Sequence, residues 1–303
     1  MLLENALQEY LYDCQLRKLS DRTIKGVRNN NRRLFWYLSN TFAIFEIEAV
    51  KRVHVQAYIT YLSELGKKET YINGIIKCFR GLFSYCEAEG YIKESPVHKL
   101  KFQKEEITVI RTFNSDEIKR MVVHYSGRTF LEQRNKLIMI MLLDSGIRNS
   151  ELCDIELDDV HENAIKIHGK GKKIRFVPLT PAINKALIRY LRVREAYIKD
   201  KYNYHTQYLF LSQKGKKLTP ETIERVVKEC GAQCNVREEI RCSPHTCRHY
   251  YAQTQLKNGC DLFTVSRLLG HSNINITKRY LNSIDVEDVL EIAQKTTPLR
   301  NLS

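Results

Sequence analysis

Four segments between residues 144 and 282 carry side chains whose types and spacing suit chemistry on a phosphate ester. Guanidinium groups are planar and permanently charged, so a pair of them can grip the nonbridging oxygens of a phosphate. A tyrosine hydroxyl can act as nucleophile, although its pKa of about 10 calls for a base or a strongly positive field. Together with histidine and lysine as proton carriers, such a set predicts transfer of a phosphodiester onto tyrosine. The side chains concerned are Arg148, Glu151, Lys170, His245, Arg248, His249, His271 and Tyr280.

In order and spacing, these segments resemble the tyrosine recombinases, the phage-integrase and Xer-type family. The resemblance rests on an Arg-x-x-Glu box, a lysine in a hairpin, His-x-x-Arg-His, Leu-Gly-His and a tyrosine nine residues later. It covers residues 113–285, and the helical N-terminal part also fits the family. Two positions depart from the family pattern: Ser145 stands where threonine is common, and Cys247 stands where leucine is usual. Neither is a charged group, so we expect activity to survive.

The resemblance implies a site-specific DNA recombinase that cleaves and rejoins strands through a 3′-phosphotyrosyl intermediate and a Holliday junction, without ATP or metal. Arg148 and Arg248 would stabilise the five-coordinate phosphorus, and Tyr280 would attack it and release a 5′-hydroxyl. Such an enzyme would act in integration and excision, in resolution or in inversion.

The remaining residues of the set are expected to transfer protons or to position the catalytic side chains. We expect His245 to accept the phenolic proton, His271 to donate to the phosphate, and Lys170 to protonate the leaving 5′-oxygen. Lys172 and Lys173 are neighbouring alternatives to Lys170. We expect Glu151 to orient an arginine, whereas His249 packs or holds its loop rather than touching phosphate.

We expect no cofactor and no metal. The run Cys242-x-x-His245-x-Cys247-x-His249 has the residue types of a zinc site, but ligands at i, i+2 and i+4 of a helix do not all share one face. The nine cysteines, an odd number without regular spacing, indicate reduced thiols.

Composition points to the same kind of partner. The chain has 49 Lys and Arg against 35 Asp and Glu, a net charge of +14, and both halves share the surplus. Such a surplus predicts a polyanionic partner, either nucleic acid or an anionic membrane surface. The resemblance implies that this partner is a double-stranded DNA recombination site. The longest apolar stretch, residues 137–143, is too short to span a membrane, and the N-terminus lacks a signal-peptide pattern. We therefore expect a cytoplasmic, nucleoid-associated protein without a membrane partner.

The length of 303 residues favours two domains. Residues 1–105 show four helical patterns, with Ser20 as the cap of the second and Gly90 as the end of the fourth. We predict a four-helix core-binding domain with a linker over 1–105 and a catalytic domain over 106–303. The fold class is therefore mainly α, with a mixed α+β catalytic domain.

The second domain has one clear β pattern within mostly helical sequence. Residues 164–168 and 174–178 alternate around a glycine- and lysine-rich turn, which predicts a hairpin. Asn114 begins a capping box with Glu117, and Thr219-Pro220 opens another helix with threonine as the cap.

Polar and basic residues opposite the apolar stripes are the candidate DNA contacts, most of them to phosphates. Each of these positions also fits a merely solvated helix face. In the N-terminal domain they lie on the second and fourth helices, and in the catalytic domain on the helix opened at Thr219. The candidates are Lys25, Arg28, Arg32, Asn73, Lys77, Arg80, Arg225 and Lys228.

A last helix, residues 286–294 capped by Asp285, has apolar Val289, Leu290 and Ile292. The resemblance implies a homotetramer on DNA in which this helix is exchanged between protomers, with accessory proteins as possible partners; the alternative is packing on its own domain.

Two other functions compete: a type IB topoisomerase-like relaxase, and a catalytically silent DNA-binding protein. The complete set of charged positions argues against the second, and the apolar last helix argues against the first.

Overall fold

A computed structural model describes residues 1–106, 109–169, 173–201 and 206–295. The chain divides into two compact units, Met1–Ile107 and Thr108–Ser303. It is mostly helical, with one two-stranded antiparallel sheet among the described residues, so the predicted fold class is confirmed. Over the same residues, no helix is both long and apolar enough to cross a membrane.

The first unit contains four helices around one apolar core. Ser20 caps the second helix as predicted, because its Oγ accepts the N–H of Thr23 at 3.3 Å. The apolar stripe of that helix packs inward, with Leu34 and Leu38 fully buried. The helices are α1 (Leu3–Leu16), α2 (Asp21–Phe42), α3 (Arg52–Glu64) and α4 (Glu69–Ala88), with a short 3-10 helix at Ile47–Ala49.

The second unit begins with the predicted capping box. Asn114 Oδ1 accepts the Glu117 N–H at 2.8 Å, and Glu117 Oε2 accepts the Asn114 N–H at 2.8 Å. The helices that follow are α5 (Ser115–His124), α6 (Phe130–Ser145), α7 (Asn149–Asp154), α8 (Pro181–Lys201), α9 (Pro220–Gln233), α10 (Pro244–Lys257), α11 (Leu262–Leu269), α12 (Asn275–Lys278) and α13 (Val286–Lys295), with 3-10 helices at Leu157–Asp159 and Leu281–Ser283.

The predicted hairpin is present, with β1 (Ala164–His168) paired to β2 (Ile174–Pro178). Its buried face carries Ile165, Ile167 and Val177, and Arg175 lies two residues from Val177 on the same face. Helix α9 starts at the predicted proline with Thr219 at its N-cap position, but the Thr219 side chain makes no capping hydrogen bond and its hydroxyl lies 3.3 Å from that of Thr222.

The core of the second unit surrounds α6, whose residues are buried on nearly all sides. Helix α6 packs on α8 and α10, and a separate small cluster beside α10 includes Leu269 and Tyr280. Core packing therefore extends along α6 to its C-terminal end, where the next segment starts.

Candidate active site

Arg148 is fixed where α6 ends and α7 begins. Helix α6 stops at Gly146, whose φ of +59° lies in the left-handed region, and Arg148 occupies the N-cap position of α7. Glu151 accepts the Arg148 backbone N–H at 3.0 Å and its Nη1 at 2.7 Å. The guanidinium stays partly open, with 39% of the side chain exposed. The carboxylate therefore sets the direction of an arginine that still faces solvent.

Arg248 reaches the same place from α10 and is 3% exposed. Its Nη1 donates to the Gly146 carbonyl and its Nη2 to the Leu269 carbonyl, both at 2.7 Å. Burial, and then the charge of Arg148, lowers the pKa of Arg248 to about 10. Arg248 is thus a cation at neutral pH despite its burial.

The two arginines are brought side by side by the end of α11. This helix ends at Gly270, which has a φ of +65°, and its last carbonyls have no partner within the helix. Leu269 O accepts Arg248 Nη2 at 2.7 Å, and the next carbonyl, Gly270 O, accepts Arg148 Nη2 at 3.0 Å. Two guanidiniums from distant parts of the sequence therefore bind adjacent carbonyls, immediately before His271.

Tyr280 lies at this site and is 3% exposed. Its Oη is 2.9 Å from His249 Nδ1, a hydrogen-bond distance, and the ring of His245 packs edge-on against His249 at 4.2 Å between centroids. Burial raises the pKa of the Tyr280 phenol despite the opposing charges of Arg248 and Arg279. His249 thus contacts the candidate nucleophile directly, whereas His245 packs against His249.

All three histidines of the site favour the neutral form. His271 Nδ1 lies 2.7 Å from Thr277 Oγ1, which fixes its ring. Burial, followed by the charge of Arg248, lowers the pKa of His271 to about 4. Burial, followed by His245, lowers the pKa of His249 to about 4, and burial and Arg248 also lower the pKa of His245. Neutral imidazoles can accept or donate hydrogen bonds without adding charge.

The site also contains an arginine that the sequence did not predict. Arg175, on β2, donates from Nη1 and Nη2 to the two oxygens of Glu151 at 2.9 and 2.7 Å, and from Nε to Leu268 O at 2.9 Å. Glu151 is 5% exposed; burial alone would raise the pKa of its carboxyl, but Arg175, and then Arg148, lower it. The carboxylate is therefore shared by two arginines.

Lys170, the predicted general acid, lies outside the described residues, as does Lys172. Lys173 is described and exposed just before β2. In the parts of the chain described, no group of three or more His, Cys, Asp and Glu side chains is arranged to hold a metal ion.

One predicted DNA contact is wrong. Asn73 does not face solvent; it is 4% exposed. Its Nδ2 donates to the Gln103 carbonyl at 2.9 Å and to Glu105 Oε1 at 2.8 Å, while its Oδ1 accepts the Gln103 N–H at 2.8 Å. The side chain holds the segment after α4 and has no group left for DNA.

Two further predicted contacts are partly engaged within the first unit. Arg80 donates from Nη2 to Leu100 O at 2.5 Å and stacks on the Phe102 ring at 4.3 Å, and Arg32 pairs with Glu4 at 3.2 Å. Lys77 Nζ lies 5.6 Å from the centre of the same Phe102 ring, and Arg225 Nε lies 3.9 Å from a Glu229 carboxylate oxygen. Lys25, Lys77, Arg225 and Lys228 are exposed and Arg28 is half-buried.

Comparison with known proteins identifies the family of this chain. The model described as phage integrase family matches residues 111–287. A tyrosine recombinase XerC of Thermodesulfovibrio yellowstonii is 31% identical over 283 residues, covering 92% of this chain and 91% of that protein. A tyrosine recombinase XerD of Staphylococcus aureus is 29% identical over 282 residues, covering 92% and 94%. The crystal structure of XerH site-specific recombinase bound to palindromic difH substrate, a post-cleavage complex, matches in fold with a TM-score of 0.75 at 21% identity, covering 91% of this chain and 80% of that one.

The fold and the family match define the class as enzymes that cleave and rejoin DNA strands. The chain belongs to the phage integrase family and is a site-specific tyrosine recombinase.

Proposed function

We propose that this protein recombines double-stranded DNA at specific sites through a covalent 3′-phosphotyrosyl intermediate and a Holliday junction, using neither ATP nor metal. The observation that carries the proposal is the binding of Arg248 and Arg148 to the adjacent carbonyls of Leu269 and Gly270. This pairing sets two permanent cations side by side next to the buried Tyr280. A phosphodiester passing through a five-coordinate transition state needs such paired positive donors.

In the first step, the two guanidiniums bind the nonbridging oxygens of the scissile phosphate. Both are held before DNA arrives, Arg148 by Glu151 and Arg248 by the Gly146 carbonyl, so little reorganisation is needed during reaction. His271, whose Nδ1 is engaged by Thr277, presents its other ring nitrogen as a donor to the phosphate.

In the second step, Tyr280 Oη attacks phosphorus, a new P–O bond to tyrosine forms, and the bond to the 5′-oxygen breaks. The phenolic proton passes to the histidine pair of α10: His245 is the acceptor expected from sequence, and His249 is the one within 2.9 Å of Oη. Lys170 supplies the proton that the 5′-oxygen gains. The phosphotyrosyl ester keeps the energy of the broken bond, so the reverse attack by a 5′-hydroxyl joins strands without ATP.

The protein would work as a homotetramer on DNA, with residues 1–105 as the core-binding domain and residues 106–303 as the catalytic domain. The last helix supports exchange between protomers: Val286, Val289 and Leu290 are 73%, 54% and 59% exposed. Lys257 pairs with Asp288 at 2.6 Å, which links α13 to α10 through an ion pair. Exchange would couple the position of Tyr280 to assembly. A cytoplasmic, nucleoid-associated location and accessory proteins fit this role.

A nicked suicide substrate, in which the cleaved 5′-end diffuses away, tests the proposal. Wild-type protein should form a covalent adduct that survives SDS, and Tyr280→Phe should form none. Adduct formation should persist in EDTA. An adduct of undiminished yield with Tyr280→Phe would refute the nucleophile, and inhibition by EDTA would refute the metal-free step.

A further inference from the structure

Arg175 binds two structures that the proposed chemistry depends on. Its guanidinium faces both oxygens of Glu151 in a bidentate pair, and its Nε reaches the Leu268 carbonyl. The side chain is only 12% exposed. All three guanidinium nitrogens of this largely buried side chain therefore donate to groups within the protein.

The end of α11 accepts three arginines on three consecutive carbonyls. Leu268 O binds Arg175 Nε, Leu269 O binds Arg248 Nη2, and Gly270 O binds Arg148 Nη2. The C-terminal end of a helix carries partial negative charge, which favours cations there. Arg175 thus binds the first of the three consecutive carbonyls, and the next two bind Arg248 and Arg148, the proposed phosphate ligands.

Gly270 is required by this packing as well as by its backbone. A Cβ at residue 270 would lie 3.0 Å from Arg175 Cδ and 3.2 Å from its Nε and Nη1. The φ of +65° already favours glycine. The Leu-Gly-His segment is therefore shaped around the Arg175 side chain.

Charge gives Arg175 a second effect. Glu151 and Arg148 alone would form a neutral pair, and the carboxylate would oppose the attraction of Arg148 for a phosphate. With Arg175 bound to the same carboxylate, the three groups carry one net positive charge. The carboxylate is buried, so solvent screens its charge poorly and the compensation is felt at Arg148.

We propose that Arg175 is a positioning residue for strand transfer: by occupying Glu151 and Leu268 O it leaves Arg148 oriented yet electrostatically available to the scissile phosphate. This inference rests on the proposed function. Arg175 acts through Glu151 and α11 and touches no reacting atom.

The test compares single-turnover rates of adduct formation at saturating suicide substrate. Arg175→Met should slow cleavage by about 10- to 100-fold, less than or comparable to losing a direct phosphate donor at about 10²–10³. DNA affinity should change little, because the second unit keeps its exposed basic residues. Arg189→Met, which removes an exposed arginine of α8, is the matched control and should leave the rate unchanged.

The double variant E151Q/R175M separates charge from shape. If Arg175 offsets the Glu151 charge, removing that charge should restore at least about 5-fold of the rate lost in Arg175→Met. Arg175→Lys, which keeps the charge without the fork, should be faster than Arg175→Met. Should Arg175→Met fail to fold, Arg175→Gln removes the same charge with a polar side chain, and E151Q/R175Q is its partner.

Wild-type cleavage rates in Arg175→Met, or a double variant no faster than the single one, would overturn the inference. Neither result touches the proposed function as long as wild-type protein forms a Tyr280-dependent adduct. If wild-type protein forms no such adduct, the proposed function fails whatever the Arg175 variants do.

Discussion

Replacing His249 tests whether its contact with Tyr280 is a hydrogen bond that serves cleavage or only packing. The phenolic oxygen lies 2.9 Å from His249 Nδ1, and Tyr280 is 3% exposed, so water cannot readily replace the ring. Burial and the neighbouring His245 lower the pKa of His249 to about 4. At neutral pH the ring is therefore uncharged, and Nδ1 can accept the phenolic proton in a hydrogen bond.

His249→Leu leaves the buried hydroxyl without that partner. A buried polar group left unsatisfied costs about 1–3 kcal/mol, which corresponds to a factor of about 5 to 150 in the population of the arrangement that places Tyr280. We expect the single-turnover rate of adduct formation to fall by this factor. His249→Asn keeps an acceptor at the δ position and should stay within about 5-fold of wild type.

A packing role and a hydrogen-bond role of His249 predict opposite orders for the cleavage rates of the two variants. Leucine resembles the imidazole in bulk and apolar contact, so a packing role predicts that His249→Leu is the milder change. A hydrogen-bond role predicts that His249→Asn is the milder one. Adduct formation on the suicide substrate, with thermal unfolding and DNA binding measured alongside, gives the order. A leucine variant as fast as wild type, or an asparagine variant slower than leucine, would refute the reasoning.

Three further changes have definite expected outcomes, two from the structure and one, at Lys170, from the proposed chemistry. Gly146→Ala should destabilise by about 2–4 kcal/mol in denaturant unfolding, because φ is +59° and the new Cβ would lie 2.4 Å from Tyr251 Cδ1; a loss under 1 kcal/mol would contradict this. Burial raises the pKa of the Glu117 carboxyl, but Arg237 outweighs it and lowers the pKa from 4.5 to about 2. The pair's stability, up to about 3 kcal/mol, should therefore be fully present above pH 4.5 and lost toward pH 2, and unfolding of Glu117→Gln should lack that acid dependence. Lys170→Ala should slow cleavage of ordinary DNA but not of a 5′-thio-bridged substrate, since a thiolate leaves without a proton; equal slowing of both would remove Lys170 as the acid.

Features of the fold that depend on neighbouring residues could be predicted from the sequence. Ser20 and Asn114 cap helices because each has a side-chain oxygen three residues before a free N–H, whereas Thr219 has the same spacing but its hydroxyl lies against that of Thr222. The hairpin strands match the predicted residues 164–168 and 174–178, because alternation around a glycine-rich turn is a local pattern. Alternation does not, however, say which face is buried. In β2 the exposed face carries apolar Ile174 and Phe176, and the buried face carries Arg175.

Asn73 shows the limit of helical periodicity. The position lies away from the apolar stripe of α4, so periodicity alone assigns it to the solvent side. The segment near Gln103 covers that side and takes up the amide. Which surface a chain segment covers depends on a partner 30 residues away, and no local pattern encodes it.

The same distinction explains which parts of the site were predicted and which were missed. Leu-Gly-His marks the end of α11 in the sequence, and a helix end always leaves carbonyls that need donors. Such acceptors lie immediately before His271 in the structure. Their donors come from residues 93, 21 and 122 positions away, namely Arg175, Arg248 and Arg148. Family resemblance supplied Arg248 and Arg148, the two proposed to bind phosphate, because their motifs are shared. Arg175 had no motif to mark it. It lies two residues before the inward-facing Val177, so its guanidinium must find hydrogen-bond acceptors inside the protein. The Leu268 carbonyl at the end of α11 and the buried Glu151 carboxylate are those acceptors.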